Sequence, residues 1–160
     1  MRLGVVVLSL LLVAGCADAA PKTAYPADFV AAVEDEGTGR TTGGEYLNWS
    51  YDIGYWLDTA ARTSDGGRLK PFVSAAADPG VLPRGTAFTI AGCGRQEDGS
   101  APPARVCAAL RKAGWQVTDE FTPGLGGGKH LDAYIGKETG PDFTSSDGYL
   151  TLTGATLRKS

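Results

Sequence analysis

At 160 residues the chain is sized for one domain, and a net charge of -3 with a sequence pI near 5.1 leaves no basic run of the kind a nucleic-acid partner requires. With 23 Gly and 9 Pro it is a poor candidate for a helical bundle, while a hydrophobic fraction of 42% suffices for a packed core. These totals point to a β-rich fold with many turns.

Residues 1–20, MRLGVVVLSLLLVAGCADAA, read as a targeting segment. Arg2 supplies a short positive start and Leu3 to Val13 an apolar run too short to span a bilayer. Two processing sites are open. VAGC, Val13 to Cys16, resembles the bacterial lipobox, in which the cysteine is lipidated and becomes the new N-terminus; Ala17-Asp18-Ala19 fits ordinary signal-peptide cleavage. The first is favoured because Cys16 directly follows the apolar run, and it predicts an exported cell-envelope protein held to a membrane by a lipid at Cys16. Signal peptide and lipobox then occupy 1–15, and 16–45, rich in Ala, Gly, Thr and charge, reads as a tether in which the apolar patch Phe29 to Val33 allows a helical turn or two.

The domain is expected over 46–160. YLNWSYDIGYW, from Tyr46, carries five aromatics in eleven positions, too many for a linker. PFVSAAADP ends at an Asp-Pro turn signal, LPRGT is a tight turn, and TAFTIAG alternates like a strand. After the surface loop GRQEDGSAPP, PPARVCAALRKAG is the one good helix, with Pro at its start, Arg111 and Lys112 in its last turn and Gly114 as its stop. WQVTDEF, HLDAYIG and YLTLTGATL follow as strands, with the loop TPGLGGGK between the first two. About six short strands and one short helix make a mainly β chain suited to a small barrel. Once Cys16 is processed, Cys93 and Cys107 remain as an even pair in an oxidising compartment, and a disulfide between them is expected.

Within HLDAYI, alternation places Leu131, Ala133 and Ile135 on one face and His130, Asp132 and Tyr134 on the other. The preceding glycines permit backbone shapes closed to other residues and leave room beside the strand for an extended ligand. ADPGVLPRGT, then VTDEF, then GKHLDAYIG resemble the three-aspartate domain of bacterial cell-wall proteins, whose architecture also forms the catalytic part of membrane-bound lytic transglycosylase A. The aspartates fall at Asp78, Asp119 and Asp132, and His130-Leu131-Asp132 is also similar to the His-Phe-Asp triplet of expansins. The resemblance covers about Arg68 to Leu157 and implies a six-stranded double-psi β-barrel.

The activity it implies is cleavage of the β-1,4 bond between N-acetylmuramic acid and N-acetylglucosamine in peptidoglycan, without a cofactor or a metal. In a lytic transglycosylase the muramyl 6-hydroxyl attacks its own anomeric carbon, so one carboxyl group serves both proton transfers. Asp132 is the expected acid and base, with Asp119 as a neighbouring carboxylate that raises its pKa or stabilises the oxocarbenium ion. Asp78 is either a third catalytic group or a turn residue whose carboxylate accepts backbone N–H groups. Tyr134 is an expected glycan contact beside it, and Lys129 and His130 either contact the peptide carboxylate or glycan hydroxyls or are solvated surface. The alternative is a non-catalytic, expansin-like glycan-binding module in which Trp49, Tyr51, Tyr55 and Trp56 stack on sugar rings or, equally, pack in the core. A metal site at His130 has little support, since the chain holds one histidine and no close ligand spacing.

Overall fold

The structure, a computed structural model, describes residues 24–121, 129–136, 138 and 140–160. The targeting segment, Cys16 and the glycine run at 126–128 lie outside them. The fold is mainly β. Helix α1 (Ala27–Glu36) leads into β1 (Thr38–Arg40), β2 (Tyr46–Ser50) and β3 (Gly54–Asp58). These are followed by β4 (Ser74–Ala77), β5 (Ala87–Gly92), β6 (Arg95–Gln96), α2 (Ala104–Lys112), β7 (Trp115–Glu120), β8 (Leu131–Ala133), β9 (Leu152–Thr153) and β10 (Thr156–Lys159). The described residues thus hold ten strands and two α-helices, against the six strands and one helix expected.

The largest sheet runs β10-β5-β7-β4-β8, with β4 and β7 parallel and the other pairs antiparallel. Its core face carries Ala75 and Ala77 of β4, Phe88 and Ile90 of β5, and Trp115 and Val117 of β7, closed by Leu110 of α2. Burial of side chains as large as Phe88 and Trp115 contributes about 1.5–3 kcal/mol each. Leu131, Ala133 and Ile135 pack against this core, as their alternation predicts. Cys93 and Cys107 are bridged, which fastens α2 beside the end of β5; closing so short a loop is worth about 3 kcal/mol. The closing strand expected over YLTLTGATL is divided at Gly154: β9 pairs with β6, and β10 pairs with β5.

The N-terminal part of the chain corrects the expected tether. Residues 27–40 fold as α1 and β1, and Phe29, Val30 and Val33 are buried with Leu47 and Tyr55. β1, β2 and β3 form a second antiparallel sheet, so YLNWSYDIGYW is a hairpin. Two glycines explain how α1 meets this sheet. Gly37 takes φ 79° and returns its N–H to the carbonyl of Val33, ending the helix directly after Glu36. Gly39 lies so close beneath the helix that a Cβ there would stand 2.7 Å from Val33 and 2.9 Å from Phe29.

Candidate functional site

The pairing register places two of the three aspartates in one row. Ala76 on β4 is directly opposite Asp119 on β7 and, on its other side, Asp132 on β8. Directly opposed residues share a sheet face, so both carboxylates rise from the same surface, two strand spacings apart, with one methyl group between them; the separation is roughly 10 Å at the backbone. A bulge makes this possible for Asp119. Ala75 pairs with Val117 and Ala76 with Asp119, leaving Thr118 as the extra residue. Without it, Asp119 would keep the parity of Trp115 and Val117 and point into the core. Thr118 bears a cost, because its Oγ1 is buried without a hydrogen-bond partner.

Asp119 is held on several sides. Its carboxylate accepts the backbone N–H of Ser64 at 3.0 and 3.2 Å, the Ser64 hydroxyl at 2.6 Å and the N–H of Glu120 at 2.9 Å. Arg84, from the LPRGT turn, lies 4.0 Å away and is bound to Asp65 at 2.7 Å. The side chain is 15% exposed. Asp78 is also engaged: its Oδ1 accepts the N–H of Gly80 at 2.8 Å while its carbonyl accepts those of Val81 and Leu82. Of its two readings, the turn is the one its contacts describe.

Asp132 is different. His130 Nε2 lies 3.0 Å from its Oδ1, and half of its side-chain surface is open. The imidazole rests on Phe121, with ring centroids 5.0 Å apart. Protein crowding on the covered side raises the Asp132 pKa through desolvation, and His130 opposes the rise through its charge and its hydrogen bond. The open half and the crowded half pull in opposite senses; the crowded half sets the direction, and solvent on the other moderates its size. The charge of Asp132 is felt by Glu36, the last residue of α1. Glu36 is raised chiefly by desolvation, with Tyr149 lowering it and the charges of Asp132 and Asp35 adding to the rise. The Tyr149 hydroxyl donates to Glu36 Oε1 at 2.7 Å.

Tyr134 shares the face of Asp132 but turns to a second polar group. Its hydroxyl donates to Glu138 Oε2 at 2.9 Å, Arg40 donates to the Glu138 carbonyl at 3.3 Å, and Tyr46 lies within hydrogen-bonding reach. Burial, with the charge of Glu138, raises the Tyr134 hydroxyl far above its ordinary range. Lys129 is exposed. Trp49 packs on Tyr55, with centroids 6.4 Å apart, against the N-terminal core, and Tyr55 is itself buried there; Trp56 is half-buried. Tyr51, at the hairpin tip, is 70% exposed. Glu36 and Tyr149 were not foreseen from sequence, because their hydrogen bond joins α1 to the C-terminal segment across 113 residues of chain.

No described group of three or more His, Cys, Asp and Glu residues is arranged to hold a metal ion. No described helix is long and apolar enough to cross a membrane. Two surface grooves do not include Asp132: one is bordered by Ile90, Arg111, Lys112 and Arg158, the other by Phe72, Val106, Ala109 and Ile135. No family model, curated protein or solved structure matches the chain.

Proposed function

We propose that the protein is a cell-wall glycan-cleaving enzyme, a peptidoglycan lytic transglycosylase in which Asp132 carries the proton. The observation that supports this most is the state of Asp132: half-open on a polar sheet face, raised by desolvation, and not consumed by backbone N–H groups as Asp119 and Asp78 are. A carboxyl group in that condition donates a proton to the glycosidic oxygen as the bond to the anomeric carbon breaks. It then takes one back from the muramyl 6-hydroxyl as that oxygen closes the 1,6-anhydro ring. The open face suits a polymer better than an enclosed cavity would. In the same reading the five-stranded sheet belongs to a double-psi β-barrel, in keeping with a parallel β4–β7 pair set among antiparallel neighbours. In the same reading the protein is exported and lipid-anchored at Cys16 in the cell envelope, which the VAGC context supports.

A second reading, a glycan-binding module, is favoured by Tyr51, whose exposed ring stands beside Ile53, 55% exposed, at the hairpin tip. Digestion of peptidoglycan with the purified mature domain, with mass spectrometry of the new ends, separates the two. Anhydro ends are the expected result. Reducing ends mean a hydrolase, and co-sedimentation without new ends that is lost in Tyr51→Ala means a binding module.

A further inference from the structure

The larger of the two grooves lies between α2 and the pair β5–β10, at the edge of the five-stranded sheet opposite to β8 and Asp132. Its volume is about 470 Å³. One wall is a single face of α2: Ala108, Arg111 and Lys112 stand three and four positions apart and so project to the same side. The other wall carries Arg158 of β10, which is directly opposite Thr89 of β5 and shares its sheet face. That face is the outer one, because alternation sends Phe88 and Ile90 into the core and leaves Thr89 exposed. The walls are fixed relative to one another. The Cys93–Cys107 bridge ties the helix to the end of β5, Leu110 is buried in the core, and the Trp115 indole N–H donates to the Leu110 carbonyl at 3.0 Å.

Three cations therefore share one groove in a chain whose net charge is -3. No acidic residue lines it, and among the described residues Arg111, Lys112 and Arg158 have no carboxylate partner. Elsewhere Arg62, Arg84 and Arg105 are each paired with an aspartate. Complementing a helix end accounts for Arg111 and Lys112, which occupy the last turn of α2. It does not account for Arg158, which comes from a strand. Like charges gathered without a counter-charge repel one another, and an anion placed between them relieves that repulsion.

We propose that this groove is an anion site that takes a phosphate group. A guanidinium fork matches phosphate and carboxylate alike, but the oxygens of a phosphate are tetrahedral and point in different directions. Arg111 and Arg158, on opposite walls, and Lys112 can thus donate to one phosphate from different sides, with the Thr89 hydroxyl as a further donor. The small side chains of Ala91 and Ala108 leave room for the group that the phosphate esterifies. A free phosphate ester and the headgroup of an anionic phospholipid offer the same chemistry. For a chain lipid-anchored at Cys16, a headgroup in the groove would turn this edge of the sheet toward the bilayer. The site stands apart from Asp132 and does not depend on the glycan-cleaving reading.

The test follows the backbone amides of Thr89, Ala91 and Ala108 by NMR in the mature protein carrying Cys16→Ser, which lacks the lipid. Sodium phosphate replaces sodium chloride at constant ionic strength, and the three amides are expected to move together and saturate. Arg111→Gln and Arg158→Gln should each weaken binding about tenfold, the size of one lost charge-assisted hydrogen bond. Arg68→Gln, the same charge change at an exposed position outside the groove, should leave it unaltered. Arg111 and Arg158 are exposed as well, so these variants keep the fold, which the remaining amide signals verify. Vesicles separate the two sources. Phosphatidylglycerol vesicles that co-sediment the wild type but not Arg158→Gln, with phosphatidylcholine vesicles retaining neither, identify a lipid headgroup; saturation by phosphate without vesicle binding identifies a free phosphate ester. The proposal is overturned if the amides stay in place while vesicle binding is absent or indifferent to Arg158→Gln. It is overturned equally if Arg68→Gln weakens binding as much as Arg158→Gln does.

Discussion

Ala76 has an aspartate on either side, and the two are in opposite conditions. Asp119 accepts hydrogen bonds from Ser64 and Glu120 and stands near Arg84, with 15% of its side chain exposed. Asp132 has one close imidazole and half its surface free. A carboxylate whose lone pairs are already taken by backbone N–H groups holds a loop in place and has little left for a substrate. A carboxyl group kept short of partners and partly desolvated is unstable as an anion, and for that reason useful as an acid. Residue type and strand position are the same in both cases; what separates them is which loop folds over which side of β4.

The contrast breaks most clearly in activity. Asp132→Asn should lower the rate of peptidoglycan cleavage by about 10²–10⁴ or more, since asparagine keeps the shape but carries no proton to give. Mass-spectrometric counting of anhydro ends checks it, and unchanged turnover in Asp132→Asn removes Asp132 from the chemistry. Next in size is the gap between the two aspartates. Ala76→Leu should extend a bulky side chain into that gap and displace a glycan lying over it, costing about 10²-fold in rate while both carboxyl groups stay in place. Its pH profile should keep the wild-type shape; a profile that moves instead would show that the side chain has disturbed the acid itself.

The Asp119 side predicts a loss of stability. Asp119→Ala leaves the N–H and hydroxyl of Ser64 without their acceptor in a partly buried place, at a cost of about 1–3 kcal/mol. Urea denaturation measures it. A variant that loses cleavage at unchanged stability would instead put Asp119 in the catalytic machinery and erase the distinction drawn here.

What the sequence made legible was local. The faces of HLDAYI, the helix after Pro103 and the Cys93–Cys107 pair each follow from alternation, capping or counting, which need no knowledge of distant contacts. The two departures at the site are non-local. Parity along WQVTDE puts Asp119 with Trp115 and Val117, and only the extra residue Thr118 turns it outward; nothing in the letters marks the bulge. Glu36 sits in a stretch whose three buried apolar residues are too few to distinguish it from a linker by composition, so α1 becomes visible only once β1 and β2 are there to receive it.

The smallest expected effect concerns stability against pH, and its sign separates the two sides of β4 once more. Asp132 and Glu36 are raised in the folded protein. Such groups favour folding fully below their unfolded values, near 4, and that contribution is lost as pH rises through the folded values. Above the folded values the ionised groups therefore work against the fold. Asp58 is lowered, chiefly by its hydrogen bond from Arg62, and Asp65 chiefly by that from Thr63. Their contributions run the other way: present above the unfolded value, lost as pH falls through the folded one. The melting temperature of Asp132→Asn relative to wild type should thus increase from acid to neutral pH, by about 1–2 °C given how open the group is to solvent. The constant offset caused by losing the His130 contact does not matter, because the slope is the readout. Asp58 and Asp65 are shared by both proteins and cancel in the difference. A difference that is flat or declines with rising pH would mean that Asp132 is held as firmly as Asp119, and the two sides of β4 would then be alike.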